Sequence, residues 1–298
     1  MRHLRFGVIG LSPGNGHPFS WSAIFNGYDR KAMATCPFPL IPAYLAERTF
    51  PADCVEGVTV THVWTQNRSV SEHVSAAALI PHIVDDATQM IGEVDAVLLA
   101  RDDAEHHLAM AAPFLAAGLP IYIDKPLALT RADAQAMYAM QQRDGQIFTC
   151  SALAYADEFR LSALDREALG RIHYAEAMTP KDWDRYAVHV VEPLLRITAD
   201  RGLPTPIGSH RGEVSVLDLR WRDGLLARIT ALGNTPAPIA IRLYGERGYK
   251  AMTFADSFSA FREALQRFAD IVAGRAPPQS PEEVLPVIDV VEAGRQGG

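Results

Sequence analysis

Cysteine is scarce in this chain of 298 residues. The three present, Cys36, Cys54 and Cys150, are odd in number, far apart and in no metal-ligand spacing. That pattern gives no disulfide framework and predicts reduced, mostly buried thiols in a cytoplasmic protein. No lysine- or arginine-rich run stands out, and the formal net charge is −7, which argues against nucleic acid and acidic membrane surfaces as partners. No apolar run is long enough to span a bilayer. The opening residues enter a strand pattern at once, so no signal peptide is expected. His62, His73, His82 and His106 show no ligand spacing with acids or cysteines, and no metal is predicted. Internal repeats and low-complexity tracts are also missing. What is present is an ample supply of core: 48% of residues are hydrophobic. Single cores stop growing at roughly 250–300 residues, so two domains are expected, 1–125 and 126–298.

The first half alternates strand and helix. Phe6-Gly7-Val8-Ile9-Gly10 reads as a strand running into a small-residue turn, Leu11 to Pro18, with a helix from about Ser20. Such a strand–turn–helix is where a dinucleotide-binding glycine turn belongs. Counting from Gly10, the second and third glycines of G-x-G-x-x-G fall on Ser12 and Asn15, while Gly14 and Gly16 offer other points of close approach. His17 adjoins the turn as a candidate ligand contact, or as an incidental loop histidine. Residues 29–57 are rich in proline and aromatics and read as an inserted loop with a short helix. The insert either overhangs a cleft or packs peripherally. Val58 to Trp64 is the second strand and ends in Thr65-Gln66-Asn67-Arg68, without the acid that usually meets the ribose hydroxyls of NAD. Asn67 and Arg68 tilt the expectation toward NADP. Val94 to Ala100 is a buried parallel strand with Arg101 at its carboxyl end. A helix from Ala104 to Ala117 follows, then the strand Ile121-Tyr122-Ile123, which ends in Asp124-Lys125-Pro126. Proline restricts the residue before it, so Lys125 is held at a strand's carboxyl end, where open α/β sheets bind ligands.

The second half changes pattern. After a helix from Arg131 to Gln142, longer alternating strands are predicted over 169–177, 214–221, 225–232 and 239–245, with a hairpin turn at Asp223-Gly224. Helices over 258–273 and 281–293 close the chain. Glu192-Pro193 reads as the first turn of a helix, with a structural role. The fold class is therefore α/β: an N-terminal Rossmann domain with a doubly wound parallel sheet, and a C-terminal α/β domain with a largely antiparallel open sheet.

Several of these segments together resemble the glucose–fructose oxidoreductase / inositol dehydrogenase / MocA family. His107 with Ala111, Ala117-Gly118 and Asp124-Lys125-Pro126-Leu127-Ala128 look like its H-x-x-x-A…A-G…E-K-P-L-A signature, with Asp124 for the usual glutamate. Leu169-Gly170-Arg171-Ile172 and the closing stretch from Phe268 to Ala293 match as well. The resemblance implies an NAD(P)-dependent oxidoreductase acting on sugars, polyols or their derivatives, with Lys125 near nicotinamide and substrate hydroxyl. It also implies a homodimer or homotetramer through the second-domain sheet. The family's D-x-x-x-H places its histidine on His189 and its aspartate on Arg185, a departure from the pattern. The turn from Gly14 to Ile24 also looks like a branch found in bacterial surface-sugar clusters, including those for nonulosonic acids.

Hydride transfer at a secondary alcohol needs a group to handle the hydroxyl proton and a donor to polarise the carbonyl. His189 suits the first task, since imidazole is the side chain that exchanges protons near neutrality. Lys125 suits the second. Tyr186, one helical turn before His189, can stand in for the missing aspartate as proton donor. Asp184 can orient His189 only if the local backbone is not a regular helix. Trp183 either stacks on a sugar face or caps the core. The cofactor candidates are Gly10, Ser12, Gly14, Asn15, Gly16, His17, Asn67, Arg68, Arg101, Asp124 and Lys125; the substrate candidates are Lys125, Trp183, Tyr186 and His189. Two rivals share the fold. One is a non-catalytic, dinucleotide-binding ligand sensor, kept open by Arg185. The other uses tightly held NAD for a redox-neutral elimination or epimerisation.

Overall fold

The computed structural model describes residues 2–296. Two compact units form, and neither is continuous in sequence. One comprises the chain up to Leu127, Gln135–Thr149 and Phe261–Pro281; the other comprises Ala128–Ala134, Cys150–Ala260 and the chain from Glu282 on. A single cut near residue 125 would separate later segments from the sheet on which they pack.

The first unit is built from β1 (Leu4–Gly10), α1 (His17–Asn26), α2 (Arg30–Met33), α3 (Leu40–Ala46), β2 (Val58–Thr65), α4 (Arg68–Ala77), β3 (His82–Ile83), β4 (Ala96–Leu99), α5 (His107–Ala116), β5 (Ile121–Ile123) and β6 (Ile147–Phe148), with α6 (Arg131–Ala139) entering it partway along. Its six strands run in the order β3-β2-β1-β4-β5-β6, and every pairing is parallel. Strands covered on both faces must be apolar throughout; β4 is buried along its length and β1 is buried except at Arg5. The strand order reverses between β1 and β4, so the carboxyl ends of these strands frame the crevice in which doubly wound sheets bind ligands.

The predicted insert forms two short helices, α2 and α3, pressed against the glycine turn. A Cβ on Gly16 would lie 2.5 Å from Ile41 Cδ1 and 2.6 Å from Phe38 Cδ2. Tyr44 of α3 is half-buried, and the desolvation pushes its phenol well up despite a hydrogen bond with Ser20. Beneath the sheet an aromatic chain links distant segments: Trp21 to Tyr122 at 4.7 Å, Tyr122 to Phe148 at 4.8 Å, Phe148 to Phe268 at 5.7 Å and Phe268 to Phe6 at 5.4 Å between ring centroids. Stacked and edge-on rings at these distances add to the burial of large apolar surfaces. Phe268 explains why residues 261–281 return to this unit.

The second unit holds α7 (Ala163–Leu169), β7 (Ile172–Thr179), α8 (Trp183–Tyr186), α9 (Val188–Ile197), β8 (Thr205–His210), β9 (Ser215–Arg220), β10 (Leu226–Ala231), β11 (Ala240–Gly245), β12 (Tyr249–Thr253) and the start of α10 (Ser257–Val272), together with α11 (Pro281–Arg295) from its second residue on. Strand order is β12-β11-β7-β10-β9-β8; β7 and β10 are parallel and the other pairs antiparallel. The predicted hairpin turns at Asp223-Gly224, where Trp221 N–H donates to Leu225 O at 2.9 Å. Three expectations need correction. Leu169 closes α7 and Gly170, at φ 65°, stops that helix, so β7 starts only at Ile172. The edge strands β8 and β12 carried no apolar alternation; all six residues of β8 are exposed, and only Met252 of β12 is buried. Glu192-Pro193 lies well inside α9, not in its first turn.

Replacing Phe268 with alanine should cost about 3–5 kcal/mol, the usual price of deleting a buried phenyl ring. Urea unfolding followed by tryptophan fluorescence checks this, and a loss below about 1 kcal/mol would deny Phe268 its role in the first unit's core.

Candidate functional site

The carboxyl edge of the parallel sheet gathers most of the cofactor candidates. Gly14 has φ 82° and open space where a Cβ would stand, so it forms the outward point of the turn. The two positions where glycine was missing do different work. Ser12 Oγ donates to Asp102 Oδ1 at 2.6 Å, and Asp102 N–H donates back to Ser12 Oγ at 3.1 Å. Asn15 Nδ2 donates to Asp124 Oδ2 at 2.8 Å, while its Oδ1 accepts from the His17 N–H at 2.8 Å. Both side chains thus fasten the turn to acids that follow β4 and β5.

Asp124 is buried and receives three donors: Asn15, the His17 ring at 2.5 Å through Nδ1, and the Lys125 N–H at 2.8 Å. A carboxylate oxygen only accepts, which puts the shared proton on the His17 Nδ1. The His17 ring stacks on Trp21 at 4.8 Å and meets Phe261 edge-on at 5.0 Å. Lys125 is itself buried, with Nζ 3.4 Å from Asp102 Oδ2. His107, fully buried, places its ring nitrogens 2.8 Å from Arg101 O and 3.0 Å from Leu127 O, which ties the loop after β4 to the loop carrying Lys125. The α1 N-terminus opens at this edge and has no side-chain cap, an arrangement that favours a bound anion such as a pyrophosphate. Small turn, open Gly14, uncapped helix and buried lysine together fit a dinucleotide.

Three other candidates turn out to be engaged elsewhere. Arg101 is buried and clasps Asp103 through Nε at 2.9 Å and Nη2 at 2.5 Å, with Nη1 3.2 Å from Gln66 Oε1. Burial acts to raise the Asp103 carboxyl, but the Arg101 fork outweighs it and holds the group below its ordinary range. Asn67 caps α4, its Oδ1 accepting from Ser69 N–H at 3.0 Å. Arg68 Nη1 donates to Asp85 Oδ1 at 2.6 Å, with Nε 3.4 Å from Glu72 Oε1.

In the second unit, Tyr186 ends α8 and His189 lies in the first turn of α9, their rings edge to face at 5.1 Å. His189 Nδ1 lies 2.9 Å from Ser151 Oγ, and Ser151 N–H donates to Glu192 Oε2 at 2.7 Å. Burial pushes the Glu192 carboxyl up, against the pull of Arg196, whose Nη2 donates to it at 2.9 Å. Lys181 Nζ donates to the Tyr186 hydroxyl. Its backbone takes φ 63° and is clamped by paired hydrogen bonds with Gly233, at 2.7 and 3.0 Å. A cavity of about 520 Å³ opens beside it, lined by Lys181, Asp184, Arg211, Glu213, Ser215 and Asn234 among others. Trp183 borders this cavity but faces inward: its indole N–H donates to Val291 O at 2.8 Å and its ring covers Gly294. It caps the core, and no stacking surface is left. Asp184 does not orient His189; it sits between Arg211 at 3.2 Å and Arg295 at 3.3 Å.

The family model for the Gfo/Idh/MocA oxidoreductases, with an NAD-binding Rossmann fold, matches residues 4–151. The chain belongs to this family. It is an oxidoreductase of an NAD-binding kind. Among solved structures it is similar to myo-inositol 2-dehydrogenase from Lactobacillus plantarum (TM-score 0.74, 14% identity, covering 99% of this chain and 97% of the other). It is also similar to GenD2 from gentamicin A biosynthesis in complex with NAD (0.73, 16%, 98% and 93%). A third is biliverdin reductase from Synechocystis in complex with biliverdin and NADP+ (0.74, 15%, 99% and 99%). At these identities the likeness is one of fold. No curated protein matches the oxidoreductase in sequence. Among the described residues no helix is long and apolar enough to cross a membrane, and no cluster of three or more histidine, cysteine or acidic residues could hold a metal. All three cysteines are buried, and none forms a disulfide.

Sequence reasoning missed Asp102, Gln66 and Ser151 as site residues, and Lys181 as the partner of Tyr186. Each acts through a partner far along the chain, except Lys181, whose five-residue spacing to Tyr186 offered a signal. Asp124→Ala removes the acceptor of three donors, two of them buried, and should destabilise the protein by about 3 kcal/mol, at roughly 1 kcal/mol each. Urea unfolding measures it; a change within about 0.5 kcal/mol would mean that the turn is not held by this carboxylate.

Proposed function

We propose that the oxidoreductase moves a hydride between NAD(P) and a secondary alcohol or ketone carbon of a sugar, amino sugar or sugar derivative. The observation that carries this reading is the buried Lys125, aimed from the end of β5 and tied through Asp102 to the glycine turn by way of Ser12. When bound, the dinucleotide supplies the hydride acceptor or donor. Lys125 donates a hydrogen bond to the substrate oxygen and stabilises the negative charge that develops there. His189 handles the hydroxyl proton at Nε2. The Ser151 hydroxyl can accept from an Nδ1–H or donate to a bare Nδ1, so it supports the imidazole in either direction of reaction. Tyr186, with the Lys181 ammonium on its oxygen, takes over the proton task of the aspartate that Arg185 replaces. Asp124, Asn15 and His17 position the turn; Gly14, with open space where a side chain would stand, lets its backbone approach the pyrophosphate, while Gly10 and Gly16 make room for Pro18, Phe38 and Ile41 packed against the turn.

The lining of the second unit's cavity favours a hydroxylated substrate. Carboxylates, an arginine, a serine and an asparagine there can bond several hydroxyls at once, as sugars and polyols require. A surface-polysaccharide or nonulosonic-acid sugar fits within this class. The similar inositol dehydrogenase and gentamicin A biosynthesis protein accord with it, and the cytoplasm, where nicotinamide cofactors are at hand, is the compartment proposed.

A panel of inositols, sugars and amino sugars, assayed by NAD(P)H absorbance at 340 nm, tests the reaction. On the best substrate Lys125→Met should lower kcat by about 10³-fold, and His189→Asn or Tyr186→Phe by about 10²-fold. Turnover untouched by Lys125→Met would refute the assignment. Tight cofactor binding with no turnover on any compound would favour the ligand-sensing rival.

We further propose that a second copy covers the outward face of the mixed sheet. Tyr174, Tyr244 and Tyr249 form a row there, with ring centroids 5.9 and 6.4 Å apart, flanked by the Arg228–Asp218 pair at 2.7 Å. Sedimentation equilibrium should show a dimer or tetramer that Tyr249→Glu weakens; a monomeric wild type would end this proposal.

A further inference from the structure

The end of β2 carries the discrimination between NAD and NADP in doubly wound folds: an acid accepts from the ribose 2′-hydroxyl, whereas an arginine receives the 2′-phosphate. Arg68, at the start of α4, invites the second reading from sequence. Its surroundings reverse it. Asp85, which follows β3, engages one end of the guanidinium at 2.6 Å, and Glu72, one turn along α4, lies 3.4 Å from the Nε. One cation therefore faces two carboxylates. Exposed ion pairs are individually weak, so the balance of charge matters more than the strength of either pair. A 2′-phosphate adds further negative charge beside two acids and must displace one of them to reach Arg68.

Asp85 is also placed more firmly than an exposed loop acid needs to be. Its N–H donates to Gln89 Oε1 at 2.9 Å, and its carbonyl accepts from the Trp64 indole of β2 at 3.2 Å. The neighbouring Val84 N–H donates to Val63 O at 3.1 Å, which continues the pairing of β3 with β2. The next acid, Asp86, is turned away to cap the short helix over 87–90, accepting from Thr88 N–H at 2.8 Å. Asp85 thus stands fixed beside the β2 end, with its side chain largely exposed and only one oxygen on Arg68.

We propose that Asp85 supplies the acid that the β2 end lacks, and that the oxidoreductase selects NAD over NADP through it. The inference rests on the reading of the first unit's carboxyl edge as the dinucleotide site. In this arrangement the free Asp85 oxygen accepts from the adenosine ribose hydroxyl, and Arg68 keeps the carboxylate in place.

The test is a fluorescence titration of the full chain with NADH and NADPH at one fixed salt concentration. It needs no substrate. Wild type should bind NADH at least about tenfold more tightly than NADPH. Asp85→Ala and Asp85→Asn should bring the ratio close to unity, mainly by weakening NADH and strengthening NADPH. Arg68→Ala should leave NADH the tighter-bound cofactor, at a smaller ratio than in wild type. The backbone bonds of Asp85 survive these substitutions, so unchanged melting temperatures are expected. Tighter binding of NADPH by wild type, or an Asp85→Ala ratio equal to that of wild type, overturns the inference and leaves the dinucleotide site standing. Binding of neither cofactor overturns both.

Discussion

Two buried carboxylates govern the ligand edge of the parallel sheet. Asp102 and Asp124 follow neighbouring strands, β4 and β5, and both are nearly sealed from water. A carboxylate in that position costs several kcal/mol unless its oxygens are met by donors. The glycine turn supplies them. Ser12 serves Asp102, while Asn15 and His17 serve Asp124. Glycine at those two positions would let a backbone approach phosphate but could satisfy no acid. Serine and asparagine are small enough for a tight turn and also bring the donors, so each departure from the glycine pattern is explained by a partner about 90 to 110 residues away. Lys125 inherits its direction from the same network, because Asp102 is fixed before the ammonium meets it.

The second unit solves a similar problem in its helices. Glu192 is buried in α9 and takes the Ser151 N–H and the Arg196 guanidinium, and Ser151 in turn meets His189. The acid three residues beyond the histidine therefore acts on it at one remove. On the other side of the ring Tyr186 packs edge-on, with its hydroxyl met by Lys181. A left-handed backbone is unfavourable for lysine, and here it is held by the exchange of two hydrogen bonds with Gly233. The structure thus invests local strain in directing one ammonium at one phenol.

How much of this could be read from the chain depends on the range of the interaction. The buried strands β1, β4 and β5 announce themselves through continuous apolar runs, and the Asp223-Gly224 turn through its dipeptide. Lys125 at a strand end followed from the proline after it. Edge strands gave no such signal: β8 is exposed throughout and pairs on one side only, so its sequence is free to be polar. Trp183 shows a second limit. The sequence left it open between stacking on a sugar face and capping the core, and the residue that decides is Gly294, which leaves room for the ring only because it has no side chain. Arg101 is occupied locally, since its carboxylate partner Asp103 is only two residues away.

The β2 end shows why residue identity at one position is a poor guide to the charge a ligand meets. Arg68 taken alone is a phosphate receptor. In the folded chain the parallel pairing of β2 with β3 brings in a residue 17 positions later, and α-helical spacing brings in another four positions later. Both are acids. The Trp64 indole, itself part of β2, then holds the backbone of Asp85 against its own strand. The charge presented at this strand end is accordingly a property of two adjacent strands and the start of a helix. A motif confined to the end of one strand reads only a third of it.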